Sequence, residues 1–157
     1  MATQYWLMKS EPNVFSIDDL ARSKNKTTCW EGVRNYQARN LLRDKIKKDD
    51  KVFFYHSRVK PMAIVGTATV VKEGYPDHFQ FDSKSKYYDS KSNPEEPRWF
   101  MVDIKLERKF KSPLTLQEMR ALKGLEKMML LKKGARLSVQ PVSAKEWTTI
   151  LKSAYEN

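Results

Sequence analysis

The stretch Cys29-Trp30-Glu31-Gly32-Val33-Arg34-Asn35-Tyr36-Gln37-Ala38-Arg39 sets an indole, an amide and two guanidinium groups close together in the chain. These types suit a nucleobase held outside its stack. The indole offers a face to lie against, the amide of Asn35 a donor and an acceptor for the base edge, and the cations a hold on flanking phosphates. Gly32 has no Cβ and lets the backbone approach a ligand closely. The same residues also read as an ordinary amphipathic helix. Val33, Tyr36, Ala38, Leu41, Leu42 and Ile46 recur at helical spacing, with Arg34, Arg39, Arg43, Lys45, Lys47 and Lys48 between them. In that reading Trp30 is a core anchor and the arginines are a solvated face.

Other chemistry is thinly represented. Cys29 is the only cysteine in 157 residues, which excludes an internal disulfide and a multi-cysteine zinc site. A Cys29/His56 nucleophilic pair has no spacing to support it, and a lone thiol reads as a small buried hydrophobe. There is no P-loop, dinucleotide fingerprint or metal-ligand cluster, so no catalytic residue, cofactor or metal is assigned. The net charge of +11, from 30 Lys+Arg against 19 Asp+Glu, favours a polyanionic partner, nucleic acid above all. No apolar run is long enough to span a bilayer. Met1-Ala2-Thr3-Gln4 leads straight into an apolar segment without a signal peptide. A monomer in the cytoplasm or nucleoid of a bacterium, or the nucleus of a eukaryote, is expected.

The elements that must position these groups alternate irregularly. Tyr5-Trp6-Leu7-Met8 reads as a buried first strand ended by Pro12. Ser16 with Asp18 and Asp19 marks a helix start, and 22–28 is a polar loop. Lys48-Asp49-Asp50 turns the chain into a strand over 51–57, followed by a second over 64–71 in which Gly66 implies a bulge or bend. The short loop between them implies a hairpin. A polar segment over about 77–98 contains Phe79, Phe81, Tyr87 and Tyr88; its length and its aromatics mark it as a lid or ligand-contacting loop. Trp99 to Leu106 alternates as a strand. Thr115-Leu116-Gln117-Glu118 and Ser143-Ala144-Lys145-Glu146 are capping boxes, the second opening a helix with Trp147, Ile150, Leu151 and Ala154 on one face. Between them lie a short helix and turn carrying Met128, Met129, Leu130 and Leu131 inward, and a strand over 136–142. Trp6, Trp99 and Trp147 sit in apolar patterns and read as core. Mixed strands and short helices without regular βαβ units imply an α+β fold in one domain.

Five segments, in this order, resemble the EVE-domain family: Trp6-Leu7-Met8-Lys9-Ser10-Glu11-Pro12, Trp30 to Arg39, Phe54-Tyr55-His56-Ser57, Tyr75-Pro76-Asp77 and Leu137-Ser138-Val139-Gln140-Pro141-Val142. The resemblance covers nearly the whole chain and implies a single EVE domain over 1–157. It further implies a PUA-like mixed β pseudobarrel of about five to six strands with peripheral helices. The family is related to the YTH readers of methylated adenosine, and its members are thought to read modified bases in DNA or RNA. By resemblance, Lys9, Ser10, Trp30, Tyr55, His56, Ser57, Ser138 and Gln140 line one pocket. Trp30 matches one wall of an aromatic cage, with Tyr88 from the loop as the other.

On this expectation Trp30 stacks on the base, an interaction worth about 1–3 kcal/mol. Asn35, Ser138, Gln140, Tyr55 and His56 supply edge readers, and Lys9 a contact to a phosphate or a base carbonyl. Arg34, Arg39 and Arg43 contact phosphates without reading sequence. Two alternatives stand beside it. One is a PUA-like hydrolase of a modified nucleoside using Lys9 and Glu11. The other is a generic RNA-binding accessory protein acting through charge alone.

Overall fold

Alternation of apolar side chains along the strands decides how the chain is layered. The computed structural model describes residues 2–156. Six strands, β1 (Tyr5–Ser10), β2 (Thr27–Cys29), β3 (Lys51–His56), β4 (Ala63–Pro76), β5 (Phe100–Thr115) and β6 (Val139–Val142), form one mixed sheet in the order β2-β5-β4-β3-β1-β6. β1 and β3 run parallel, with Tyr5 opposite Lys51 and Ser10 opposite His56. The helix α1 (Ile17–Arg22), β2 and α2 (Tyr36–Asn40) lie in the crossover between them, because parallel neighbours cannot be joined by a tight turn. The other pairings are antiparallel, and β3 with β4 makes the expected hairpin.

Side chains of successive strand residues point to opposite faces. Trp6, Met8, Val52 and Phe54 therefore enter one core with Ile17 and Leu20 of α1 and with Trp30, Ala38 and Leu42. Leu7, Phe53 and Tyr55 enter the other, covered by Met119 of α3 (Leu116–Arg120) and by Trp147, Ile150 and Ala154 of α4 (Ala144–Glu156). The sheet bends where the register shifts, at Phe54/Tyr55 and between Ile64 and Gly66, as bulges require. A side chain at Gly66 would run into the Arg108 carbonyl and the Ile17 side chain. The sheet is not closed, with β2 and β6 at its edges. The fold is α+β and PUA-like.

The capping chemistry acts as the sequence implies. The Asp19 backbone N–H donates to Ser16 Oγ (3.1 Å) and the Ser16 N–H to Asp19 Oδ2 (2.8 Å); Thr115 with Glu118 and Ser143 with Glu146 make the same reciprocal pair. Several boundaries differ. The helix expected from Val33 begins at Tyr36, since Asn35 is its N-cap, and it passes into a π turn at Leu41–Lys45. The loop at 22–28 ends in β2. The strand over 64–71 runs on to Pro76 because β5 pairs with all of it. The last strand keeps only Val139–Val142. Met129 is half-buried, while Met128 and Leu130 enter the core. Among the described residues no helix is long and apolar enough to cross a membrane.

The polar segment at 77–98 is strapped down from inside. Gln80, fully buried, donates through Nε2 to the carbonyls of Asp77 (2.7 Å) and Trp99 (2.9 Å). Its Oε1 accepts from Ser92 Oγ (2.5 Å) and the backbone N–H groups of Arg98 (3.2 Å) and Trp99 (3.1 Å). One amide thus closes both ends of the loop, replacing the ladder bonds an irregular segment lacks.

Candidate functional site

A cleft of about 340 Å³ opens where the end of β1, the chain following β2 and the 77–98 loop converge. Its walls are Trp30 and Tyr87, with Lys9, Ser10, Glu11, Cys29, Glu31, Gly32, Arg34 and Ser138 around them. Trp30 is held rigidly. Its backbone N–H donates to the Val102 carbonyl (2.8 Å) and its ring stands edge-on to Phe54, 5.5 Å between centroids. Only 8% of it is exposed, on the cleft side, so it is both core anchor and wall.

Tyr87 is seated by a buried acid. Asp77 is fully buried; its Oδ2 accepts from the Gly32 N–H (2.9 Å) and from Arg34 Nη1 (3.0 Å), and its Oδ1 from the Phe79 N–H (2.9 Å). Arg34 Nη2 then donates to the Tyr87 carbonyl (2.7 Å). The guanidinium lies 5.4 Å from the Tyr87 ring and 5.3 Å from that of Trp99, a distance at which a cation is attracted to an aromatic face. Gly32 has φ +81°, and any side chain there would collide with the Tyr87 ring. Glycine is required twice over, for the backbone conformation and for the approach of Tyr87.

The ionisable groups are pulled in different directions. Burial lowers the pKa of Lys9, whose Nζ donates to the Ala135 carbonyl at 3.3 Å. Burial, and then the Glu31 carboxylate, push the Cys29 thiol up to about 12. It stays protonated and points its S–H at Glu31 Oε2, 3.6 Å away. His56 has its pKa lowered by burial, and its Nε2 accepts the Ile17 N–H at 3.1 Å. Cys29 and His56 are thus each engaged with another group.

The cleft brings together Lys9, Ser10, Trp30, Ser138 and Arg34. It leaves out the other expected residues, for local reasons. Tyr55 and His56 are strand neighbours and cannot share a face; Tyr55 is buried in the second core and His56 sits beneath α1. Ser57 offers its backbone N–H to the Ser10 carbonyl (3.0 Å) and does not line the cleft. Asn35 caps α2, its Oδ1 accepting the Ala38 N–H at 3.0 Å. Gln140 lies opposite Leu7, on the face of the second core, where Nε2 donates to the Leu137 carbonyl (2.8 Å) while Oε1 has no partner among the described residues. Tyr88 is 46% exposed outside the cleft; its neighbour Tyr87 takes the wall position. Arg39 donates to the Arg98 carbonyl (2.6 Å) and covers the Tyr36 ring. Arg43 is paired with Asp44 at 2.8 Å.

Sequence reasoning missed Asp77 as the organiser of the site and Glu31 as a cleft residue. The Tyr75-Pro76-Asp77 segment was a usable signal for the first, since an acid in a loop opposite an arginine-bearing stretch invites a pair.

Comparison with known proteins places this architecture. A family model described as EVE domain matches residues 4–153. Thymocyte nuclear protein 1 of Mus musculus is 44% identical over 165 residues, spanning 95% of this chain and 73% of the mouse protein. A hypothetical protein from Leishmania major superposes with a TM-score of 0.91 at 46% identity, covering 99% of this chain and 96% of that one. Human THYN1, solved in complex with 5-methylcytosine-containing DNA, superposes with a TM-score of 0.89 at 41% identity, covering 99% of each chain.

Proposed function

The chain belongs to the EVE-domain family, and from that membership we propose that it binds nucleic acid carrying a modified base, 5-methylcytosine foremost, turned out of its stack into the cleft beside Trp30. The observation that carries this reading is that the held indole of Trp30 and the side of Tyr87 both line one polar cleft of about 340 Å³, within the range of small-ligand sites. The likeness to human THYN1 bound to 5-methylcytosine-containing DNA supports the choice of ligand. Stacking against Trp30 and hydrogen bonds from the cleft rim together offset the few kcal/mol that extrusion costs.

Phosphate contact passes to residues other than Arg39 and Arg43, which are engaged elsewhere, and Arg34, whose cation is neutralised by Asp77. Lys86 lies with Nζ 5.1 Å from the Tyr87 ring. Lys132, Lys133 and Arg136 are exposed on the loop whose Ala135 carbonyl receives Lys9. None of these four cations joins an ion pair among the described residues.

The reading is non-enzymatic. The Cys29 thiol is protonated, and Lys9 and Glu11, the pair a hydrolase would use, make no ion pair with each other; Glu11 lies 4.0 Å from Arg58 instead.

Oligonucleotides identical but for one cytosine, 5-methylcytosine, adenine or N6-methyladenine, titrated at physiological salt, test the proposal. Wild type is expected to prefer one modified base. Trp30→Ala is expected to lose about 1–3 kcal/mol for that oligonucleotide and the preference with it. Trp30→Phe, which preserves more of the packing on Phe54, controls for stability. Equal affinity for all four, unchanged by either substitution, would leave only charge-driven contact.

A further inference from the structure

A protein of net charge +11 places an acid in the cleft that it would offer to a polyanion. Glu31 lies between the Trp30 wall and Gly32, which supports Tyr87. No Lys, Arg or His pairs with it among the described residues. One carboxylate oxygen faces the Cys29 thiol at 3.6 Å, a long and weak contact, and the other accepts no hydrogen bond from the described residues. We propose that Glu31 reads the exocyclic amino group of the base, so that the cleft selects amino-bearing pyrimidines and rejects keto-bearing ones. The inference rests on the reading of the cleft as a base pocket.

The chemistry follows from donor and acceptor inventories. A 5-methylated cytosine and thymine carry the same methyl group and the same C2 carbonyl. They differ at C4, where cytosine has an amino donor and thymine a carbonyl acceptor, and at N3, an acceptor in cytosine and an N–H donor in thymine. A pocket shaped only for the methyl group would accept both, and thymine is abundant in DNA. The hydroxyls of Ser10 and Ser138 each donate and accept, so they adapt to either edge. Lys9 is a donor and serves the C2 carbonyl that both bases share. An ionised carboxylate only accepts. Set against the C4 amino group it makes a charge-assisted hydrogen bond; set against the thymine carbonyl it brings two acceptors together with nothing to satisfy them. Glu31 is the carboxylate suited to this role, since Glu11 is drawn toward Arg58.

The test is a competition titration with oligonucleotides carrying cytosine, 5-methylcytosine, thymine or uracil at one position, read by anisotropy on wild type, Glu31→Gln, Glu31→Asp and Trp30→Ala. Wild type is expected to bind 5-methylcytosine over thymine by about tenfold or more, the discrimination typical of one well-placed polar contact. In Glu31→Gln the amide can turn its NH2 to the thymine carbonyl, and that ratio is expected to fall toward one while methylcytosine still exceeds cytosine. Glu31→Asp keeps the charge and is expected to retain a preference for the amino base at reduced affinity. A 5-methylcytosine to thymine ratio unchanged in Glu31→Gln, with methyl preference still abolished by Trp30→Ala, would overturn the role of Glu31 and leave the pocket standing. Wild-type binding that ignores base identity altogether would overturn both.

Discussion

Several side chains hold the site by what they accept. His56 takes the first N–H of α1 on Nε2, which requires a neutral ring. Burial lowers its pKa below the ordinary 6.5; Asp18 pulls it up and Lys109 pushes it down. A histidine that is harder to protonate when folded adds stability that is complete above the unfolded pKa and is lost as pH falls through the folded one. Urea midpoints of wild type are therefore expected to drop between about pH 7 and pH 5, before the carboxylates titrate, and those of His56→Phe, which has no acceptor to lose, to drop less. An equal drop in both would place the acid sensitivity elsewhere. Asp50 works in the same manner near the start of β1. With 2% exposure it accepts from the Gln4 backbone (3.1 Å), Gln4 Nε2 (3.0 Å), Trp6 Nε1 (3.0 Å) and the Lys47 backbone (2.9 Å). Neither role is visible in the sequence, because Ile17 for His56, and Gln4 and Trp6 for Asp50, lie far along the chain.

The 77–98 loop is a structured wall whose order depends on Gln80. Gln80→Ala removes the donor to two carbonyls and the acceptor of three hydrogens. It is expected to raise amide exchange across 82–98 while leaving β3 and β4 protected, since local openings follow local hydrogen bonding. Exchange spread evenly over the sheet would show instead that the loop unfolds only with the whole. The sequence marked this segment as functional by its length and aromatics, and it does supply a cleft wall. Which tyrosine does so was not legible. Tyr87 and Tyr88 are adjacent and chemically alike, and only the Arg34 and Asp77 contacts turn one inward. Helix starts were legible in detail, because a capping box is a contact among residues three apart. Asn35 shows the converse: a good edge reader by type is also a good N-cap, and the local contact took it.

Across the whole molecule, the proposed function divides the work of binding between charge and cleft. On the proposed function, Lys86, Lys132, Lys133 and Arg136, exposed and in no ion pair among the described residues, are expected to set affinity and its salt dependence. Replacing them together with alanine is expected to flatten the slope of log K against log salt by about 0.9 for each phosphate contact removed. It should weaken modified and unmodified oligonucleotides alike, leaving their ratio in place. A changed ratio with an unchanged slope would mean that these residues touch the base and not the backbone.

The amino-acid sequence by itself determined the strand alternation, the helix caps at Ser16, Thr115 and Ser143, and the basic excess, while the family resemblance carried the expectation that Lys9, Ser10, Trp30 and Ser138 share one pocket. Periodicity, short-range hydrogen bonding and net charge are properties of neighbours and sums. Only the tertiary structure decided that Arg34, Arg39 and Arg43 are each engaged within the protein, which face Gln140 and Tyr55 occupy, and that Asp77 is buried behind the cleft while Glu31 lines it. Ion pairs and strand parity join residues tens of positions apart: Arg34 finds Asp77, 43 positions further along the chain. Nothing local to either one announces the other.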